Sequence, residues 1–322
     1  MVRFTKSWLI GVVALGFVVG AACDKGGKNG AGGGAASDAV SLIPADSEIV
    51  MGLNFAQLKQ SALWKQFAPK IMDQMSGKIG EFKAACGFDP MDTFKSMTMG
   101  MKNLSDQPGV KPDGVVVVKG LEKSKMMPCM DKYKAEAAKQ GTEITVDGDV
   151  VLLKDKDQTV AMTYANDDTM VVTMGTAATK DGVKAAAKGG NGLKSSQAFN
   201  EMYSKINTGD SLWLMVNGNS PLLDKASMLG KPKAVYGSLN LTDGLAVDLH
   251  VREASADAAK SLVEMAKGQT DNPQVKQMVD KIDITANGDD AHFVVAMSNQ
   301  KLQALISQFG AMFGMMGGAG AQ

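Results

Sequence analysis

Histidine is nearly missing from this chain: His250 and His292 are the only two in 322 residues. Imidazole is the usual group for acid–base work near neutral pH and the commonest metal ligand. Its scarcity removes most of the material for a hydrolytic or zinc centre. Both histidines sit beside apolar residues, His250 between Leu249 and Val251 and His292 before Phe293, which puts each on the solvent side of a predicted strand. No Cys or second His stands at ligand spacing from either, so neither a zinc site nor a Ser-His-Asp arrangement is expected. A charge excess is missing too. Lys plus Arg and Asp plus Glu each number 34 and form no basic patch, which excludes nucleic acid as the expected partner. There is no Gly-rich loop running into Lys-Ser or Lys-Thr and no strand leading into Gly-x-Gly-x-x-Gly, so no nucleotide cofactor is expected. Asp155-Lys156-Asp157 lacks the Gly and terminal Glu of a calcium loop, and the other clustered Asp residues fall at turns, where they bond their own backbone. No cofactor and no resident metal are expected.

Cysteine is scarce but informative. There are three. The first, Cys23, follows Arg3, Lys6, an apolar run from Trp8 to Val19, and the small residues Gly20, Ala21 and Ala22. A basic start, a short apolar core and small residues before a cysteine make a lipoprotein signal peptide, and the run is too short for a membrane span. Cys23 is then the expected lipidation site, carrying a palmitate-type acyl group as the first residue of the mature chain. That leaves Cys86 and Cys129 as an even pair in an exported protein, for which a disulfide is expected and two buried free thiols are the alternative. Closing so long a loop stabilises the fold by about 3 to 4 kcal/mol on the chain-entropy model.

Four segments follow from composition and periodicity: a signal peptide over 1–22, a Gly/Ala-rich tether over 23–39, a first lobe over 40–190, and a second lobe over 191–322 with a Met-rich tail. In the first lobe, Ile49 to Phe55 reads as a strand. Ser61 opens a helix with Leu63, Phe67, Ile71 and Met75 on one side and a kink at Pro69. Two strands and a helix carrying Met126, Met130, Tyr133 and Ala137 come next, with Pro128 in the first turn. Hairpins over 142–174 complete that lobe. In the second, Ser195 caps a helix, Leu212 to Val216 forms a strand, and Leu245 to Val251 alternates. Ser255 then caps a helix, a hairpin turns at Asn287-Gly288, and a last helix holds Leu302, Ile306, Phe309 and Phe313. Both halves run strand, two strands, helix, two strands, which suggests a duplicated unit. The expected fold is α+β: two similar lobes, each an antiparallel sheet with helices on one face.

Methionine is the outlier, with 23 copies. Met97, Met99 and Met101 on a strand and Met126, Met127 and Met130 around Cys129 allow three uses. They can fill a core, line a deformable apolar groove, or offer thioethers to Cu(I).

The lipobox, the tether, the stretch Leu42-Ile43-Pro44-Ala45-Asp46-Ser47, the helix with Trp64 and the Ser195-Ser196-Gln197-Ala198-Phe199 helix together resemble a class of tandem-repeat α+β envelope lipoproteins of bacteria. The resemblance implies envelope location and repeat architecture, and brings no catalytic residues. The expected function is that of a non-catalytic binding or structural module. It would be anchored to a cell-envelope membrane, inner or outer, through its N-terminal lipid, with an envelope protein or an apolar ligand as partner. A periplasmic carrier of a lipid is the alternative, and copper binding or an enzyme stand below it.

Overall fold

The computed structural model of the chain describes residues 39–105, 111–139, 141–156, 158–190, 192–224 and 231–307. The signal peptide, Cys23 and the Met-rich tail lie outside the described residues. Alternating or continuous apolar runs form twelve strands: β1 (Ile49–Asn54), β2 (Ser96–Lys102), β3 (Asp113–Lys119), β4 (Glu143–Asp147), β5 (Val150–Lys154), β6 (Thr159–Asn166), β7 (Thr169–Met174), β8 (Leu212–Asn217), β9 (Ala234–Asn240), β10 (Gly244–Arg252), β11 (Lys281–Asn287) and β12 (Asp290–Ser298). The main helices are α1 (Ala62–Cys86), α2 (Lys123–Lys139), α3 (Lys180–Lys188), α4 (Gln197–Tyr203) and α5 (Ala256–Thr270), followed by a C-terminal helix described over 299–307.

All twelve strands belong to one antiparallel sheet, in the order β11-β12-β10-β9-β8-β1-β2-β3-β7-β6-β5-β4. The expectation of two lobes is corrected: the protein is α+β, but its sheet is continuous. The cause is the pairing of β1 with β8, where Ile49 stands opposite Val216 and Leu53 opposite Leu212. Each of these strands opens its half of the chain, and each would otherwise leave a row of unpaired backbone groups along an apolar edge. Joined, they satisfy one another. On either side of the join the strand order is the same, β1-β2-β3-β7-β6 outward on one side and β8-β9-β10-β12-β11 on the other, with α2 and α5 each following the third strand in the chain. The hairpin β4-β5 extends the first half only.

Helices cover both faces, a second correction to the expected single layer. On the first face, Met51, Met97, Met99, Val116, Val118, Met162 and Val172 pack under Phe82 of α1 and under Met126, Cys129, Met130, Tyr133 and Ala137 of α2. That α2 set recurs at three- and four-residue spacing, as a buried helical stripe must. Further along the same face, Val216, Val235 and Val251 meet Ala259, Leu262 and Val263 of α5. On the second face, Val50, Val115, Val117, Trp213, Met215 and Tyr236 pack against Val40, Ile43, Leu193, Phe199 and Ile206, while Val183 of α3 covers Val150 and Ala161.

Two glycines make the centre of the second face possible. A Cβ on Gly52 would lie 2.1 Å from Nε1 of Trp213, and one on Gly100 would lie 2.2 Å from Cγ2 of Ile43. The Trp213 indole and Ile43 therefore sit directly on strand backbone.

Local details follow the sequence signals with small offsets. The Ser61 hydroxyl accepts from the Trp64 amide at 3.0 Å and the Ser255 hydroxyl from Ala258 at 3.3 Å, as N-caps do. Ser196, not Ser195, caps α4, because Ser195 ends a preceding 3-10 turn. Pro128 lies inside α2, not in its first turn, because the helix begins earlier, at Lys123. Pro69 likewise lies within the uninterrupted span of α1. Leu302 is buried and Ile306 packs beside it; Phe309 and Phe313 lie outside the described residues, and so do the side chains of Ile71 and Met75.

Candidate functional site

Toward β10 and β12 the second face turns polar. The register sets Tyr236 of β9, His250 of β10 and His292 of β12 side by side in one row. Side chains directly opposite in antiparallel strands share a face and come into contact. Here they stack: the Tyr236 and His250 rings are 4.8 Å apart at 6°, and the His250 and His292 rings 4.1 Å apart at 3°. One row away on the same face stands Asp248, between Ser238 and Val294.

Asp248 draws the two imidazoles together. Its Oδ1 lies 2.8 Å from Nε2 of His292 and 3.3 Å from Nε2 of His250, so both rings aim the same nitrogen at one oxygen. One ligand atom from each of the three residues lies within 4.8 Å of the other two. Side-chain exposure grades from 12% at His250 through 27% at His292 to 47% at Asp248, so the carboxylate stands at the mouth and His250 at the base. The buried Nδ1 of His250 has no hydrogen-bond partner among the described residues. Burial pushes the Asp248 carboxyl up, but hydrogen bonds from His250 and His292 outweigh it and hold the group below its usual value.

Two further carboxylates flank this trio. Asp290 is only 4% exposed and receives Arg252 at 2.9 and 3.0 Å in a forked pair, with Lys205 Nζ at 2.7 Å and the Tyr236 hydroxyl at 2.8 Å. Arg252 also reaches Glu201 of α4 at 2.8 Å. Burial alone would raise Asp290, yet the bonds from Arg252, Lys205 and Tyr236 hold it far below the ordinary carboxylate range. On the other side, buried Asp210 accepts from Ser238 at 2.7 Å, Asn240 at 2.8 Å and Asn207 at 2.9 Å. Its carboxyl is pushed up, first by burial and further by the Asp248 charge.

The residues singled out in the sequence lie elsewhere. Cys86, which ends α1, and Cys129 of α2 form a disulfide with Cα atoms 4.8 Å apart. It ties together α1 and α2, which cover the first half of the first face. Met97, Met99, Met126 and Met130 are buried, and Met101 and Met127 pack partly buried against the same cluster. Cys23 is outside the described residues. Two shallow depressions lie at the surface, one along α1 beside Pro69, Met72 and Lys83 and one between Lys267, Asp271 and Ile284.

The histidine pair is what the sequence reading missed. Asp248 and His250 already shared one predicted strand face, but β10 and β12 are separated in the chain by α5 and β11. Only their pairing brings His292 across.

No protein-family model matches this chain, and no curated protein matches it. Solved structures of TP0453 do resemble it in backbone. Its crystal form III is 11% identical, with a TM-score of 0.49 over 84% of this chain and 98% of that one. Crystal form I is 10% identical, with a TM-score of 0.46 over 84% and 97%. At this similarity the likeness carries no argument about activity.

Proposed function

We propose that this chain is a lipid-anchored lipoprotein of the bacterial cell envelope, held through an acyl group on Cys23, whose folded body is a non-catalytic binding or structural module. The observation that carries the reading is the bond between Cys86 and Cys129. Structural disulfides persist in oxidising compartments, and this one consumes the two thiols that lipidation of Cys23 leaves over. The shared strand order of the two chain halves supports the likeness to tandem-repeat envelope lipoproteins. Methionine packing supports a module over a lipid carrier, because Met97, Met99, Met126 and Met130 fill space between sheet and helices that an acyl chain would need.

Mass spectrometry of the chain purified from its native membranes tests this. The expected species begins at Cys23, carries acyl mass, and lacks two protons for the disulfide. Cys23→Ser is expected to leave the chain unacylated and to move it out of the lipid-bound fraction. A wild-type chain recovered without acylation from the cytosol would overturn the reading. A stoichiometric free lipid extracted from the folded body would replace the module with a carrier.

A further inference from the structure

We propose that Asp248, His250 and His292 bind one divalent transition-metal ion of the zinc type on the second face of the sheet. The chain spends both of its histidines here. They arrive on different strands, stack face to face, and turn the same ring nitrogen toward one carboxylate oxygen. The register sets the two rings opposite each other, and Asp248 turns both toward one point.

The spacing suits a metal. Zinc holds imidazole nitrogen and carboxylate oxygen at about 2.0 to 2.2 Å in a tetrahedron, which sets neighbouring donors roughly 3.3 Å apart. The two oxygen-to-nitrogen distances, 2.8 and 3.3 Å, lie at or just inside that edge. The stacked rings hold their Nε2 lone pairs parallel, so admitting the ion requires both imidazoles to turn out of the stack and tilt toward one point beside Asp248, a change confined to the side chains. Two imidazoles and one carboxylate form a borderline donor set that favours zinc, nickel or copper(II) over magnesium or calcium, which prefer all-oxygen shells. Three protein ligands leave the fourth position free, and the exposure gradient places it on the solvent side beside Asp248.

The surroundings hold the donors in place. Tyr236 backs the His250 ring, and its hydroxyl is fixed by Asp290, which Arg252 and Lys205 anchor in turn. Those two cations are neutralised by Asp290 and Glu201, while Asp210 adds a further carboxylate close to Asp248. On binding, each imidazole offers the Nε2 lone pair with its proton at Nδ1, so the bonds to Asp248 are exchanged for bonds to the ion and nothing is oxidised or reduced.

The test uses the full chain without a histidine tag, stripped by chelator and titrated with zinc chloride by calorimetry and by carbon–proton NMR of the imidazoles. With two histidines in the molecule, two Cε1–H signals report the site alone. One equivalent of zinc is expected to saturate the heat and to shift both signals together. His250→Ala and His292→Ala are each expected to weaken binding by more than about 10-fold, the loss that even an indirect metal contact produces. Asp248→Asn, which keeps the shape, is expected to do the same. Zinc binding that leaves both imidazole signals unmoved, or no saturable binding up to millimolar zinc, would overturn the proposal, and neither outcome depends on a variant folding.

Discussion

Asp290 shows how much rests on a single side chain. Almost fully buried, it is the counter-ion of Arg252 and Lys205 and the acceptor for Tyr236. Removing one member of such a group leaves the others buried and unpaired, so Asp290→Asn is expected to cost about 3 kcal/mol, read from urea unfolding at pH 7. The pH response has a definite sign. The folded carboxyl is depressed, so its stabilisation is complete above the ordinary carboxylate value near 4 and drains away as the pH falls toward the folded value. The gap in stability between wild type and Asp290→Asn should therefore narrow on going from pH 7 to pH 2, and a gap that stays constant would refute the assignment. Asp210, raised by burial, works in the opposite direction and partly offsets Asp290 at neutral pH. At this scale the sequence was half legible. Alternation put His250 and His292 on the face opposite Leu249 and Phe293, as the register has them, but the solvated setting expected for both fails at His250, whose side chain is 12% exposed, and single residues carry no mark of who stands across the strand.

Among elements, the decisive joint is β1 against β8. Gly52 faces Trp213 in that register, and the indole occupies the place of a side chain on the glycine. Gly52→Ala is thus expected to destabilise by about 2 kcal/mol, in the range of overpacked cores. Adding Trp213→Leu should recover part of the loss, and additive effects in thermal unfolding would show that the two do not touch. The link between α1 and α2 has its own magnitude. Opening the Cys86–Cys129 bond, by reductant or by replacing both residues with Ser, should cost about 4 kcal/mol for a closed loop of 43 residues. Thermal midpoints with and without reductant measure it. Most elements were readable because caps and periodicity are local: Ser61, Ser255 and the α2 stripe sit where their spacing puts them. Pro128 misled because proline favours a first turn, whereas the start of α2 is fixed by tertiary contacts, including the hydrogen bond that the Lys123 N–H donates to the Asp167 carbonyl.

For the whole molecule, one sheet means one unit. Two lobes would unfold in two steps; a continuous sheet with cores on both faces is expected to give a single calorimetric transition whose measured and van't Hoff enthalpies agree. Expressing residues 40–190 alone strips β8 from β1 and uncovers the apolar edge Ile49–Leu53. That fragment is expected to self-associate in sedimentation, and a stable monomer would argue against the joint. Each half announced its internal order through hairpins and helix signals, yet nothing in Ile49 to Leu53 or Leu212 to Val216 names its outer neighbour. Edge pairing is a property of the complete chain, decided by which open edges remain once local pairs are made.

Ile43 lies over Gly100 of β2, and its carbonyl accepts from Leu193 at 2.9 Å, so the chain enters the folded body at mid-sheet. At about 4.8 Å per strand, twelve strands stretch some 50 Å from rim to rim. Whatever pulls on residue 39 does so near the balance point of that span. Six strands lie beyond β2 on one side and five on the other, so a load applied there turns the sheet toward neither margin.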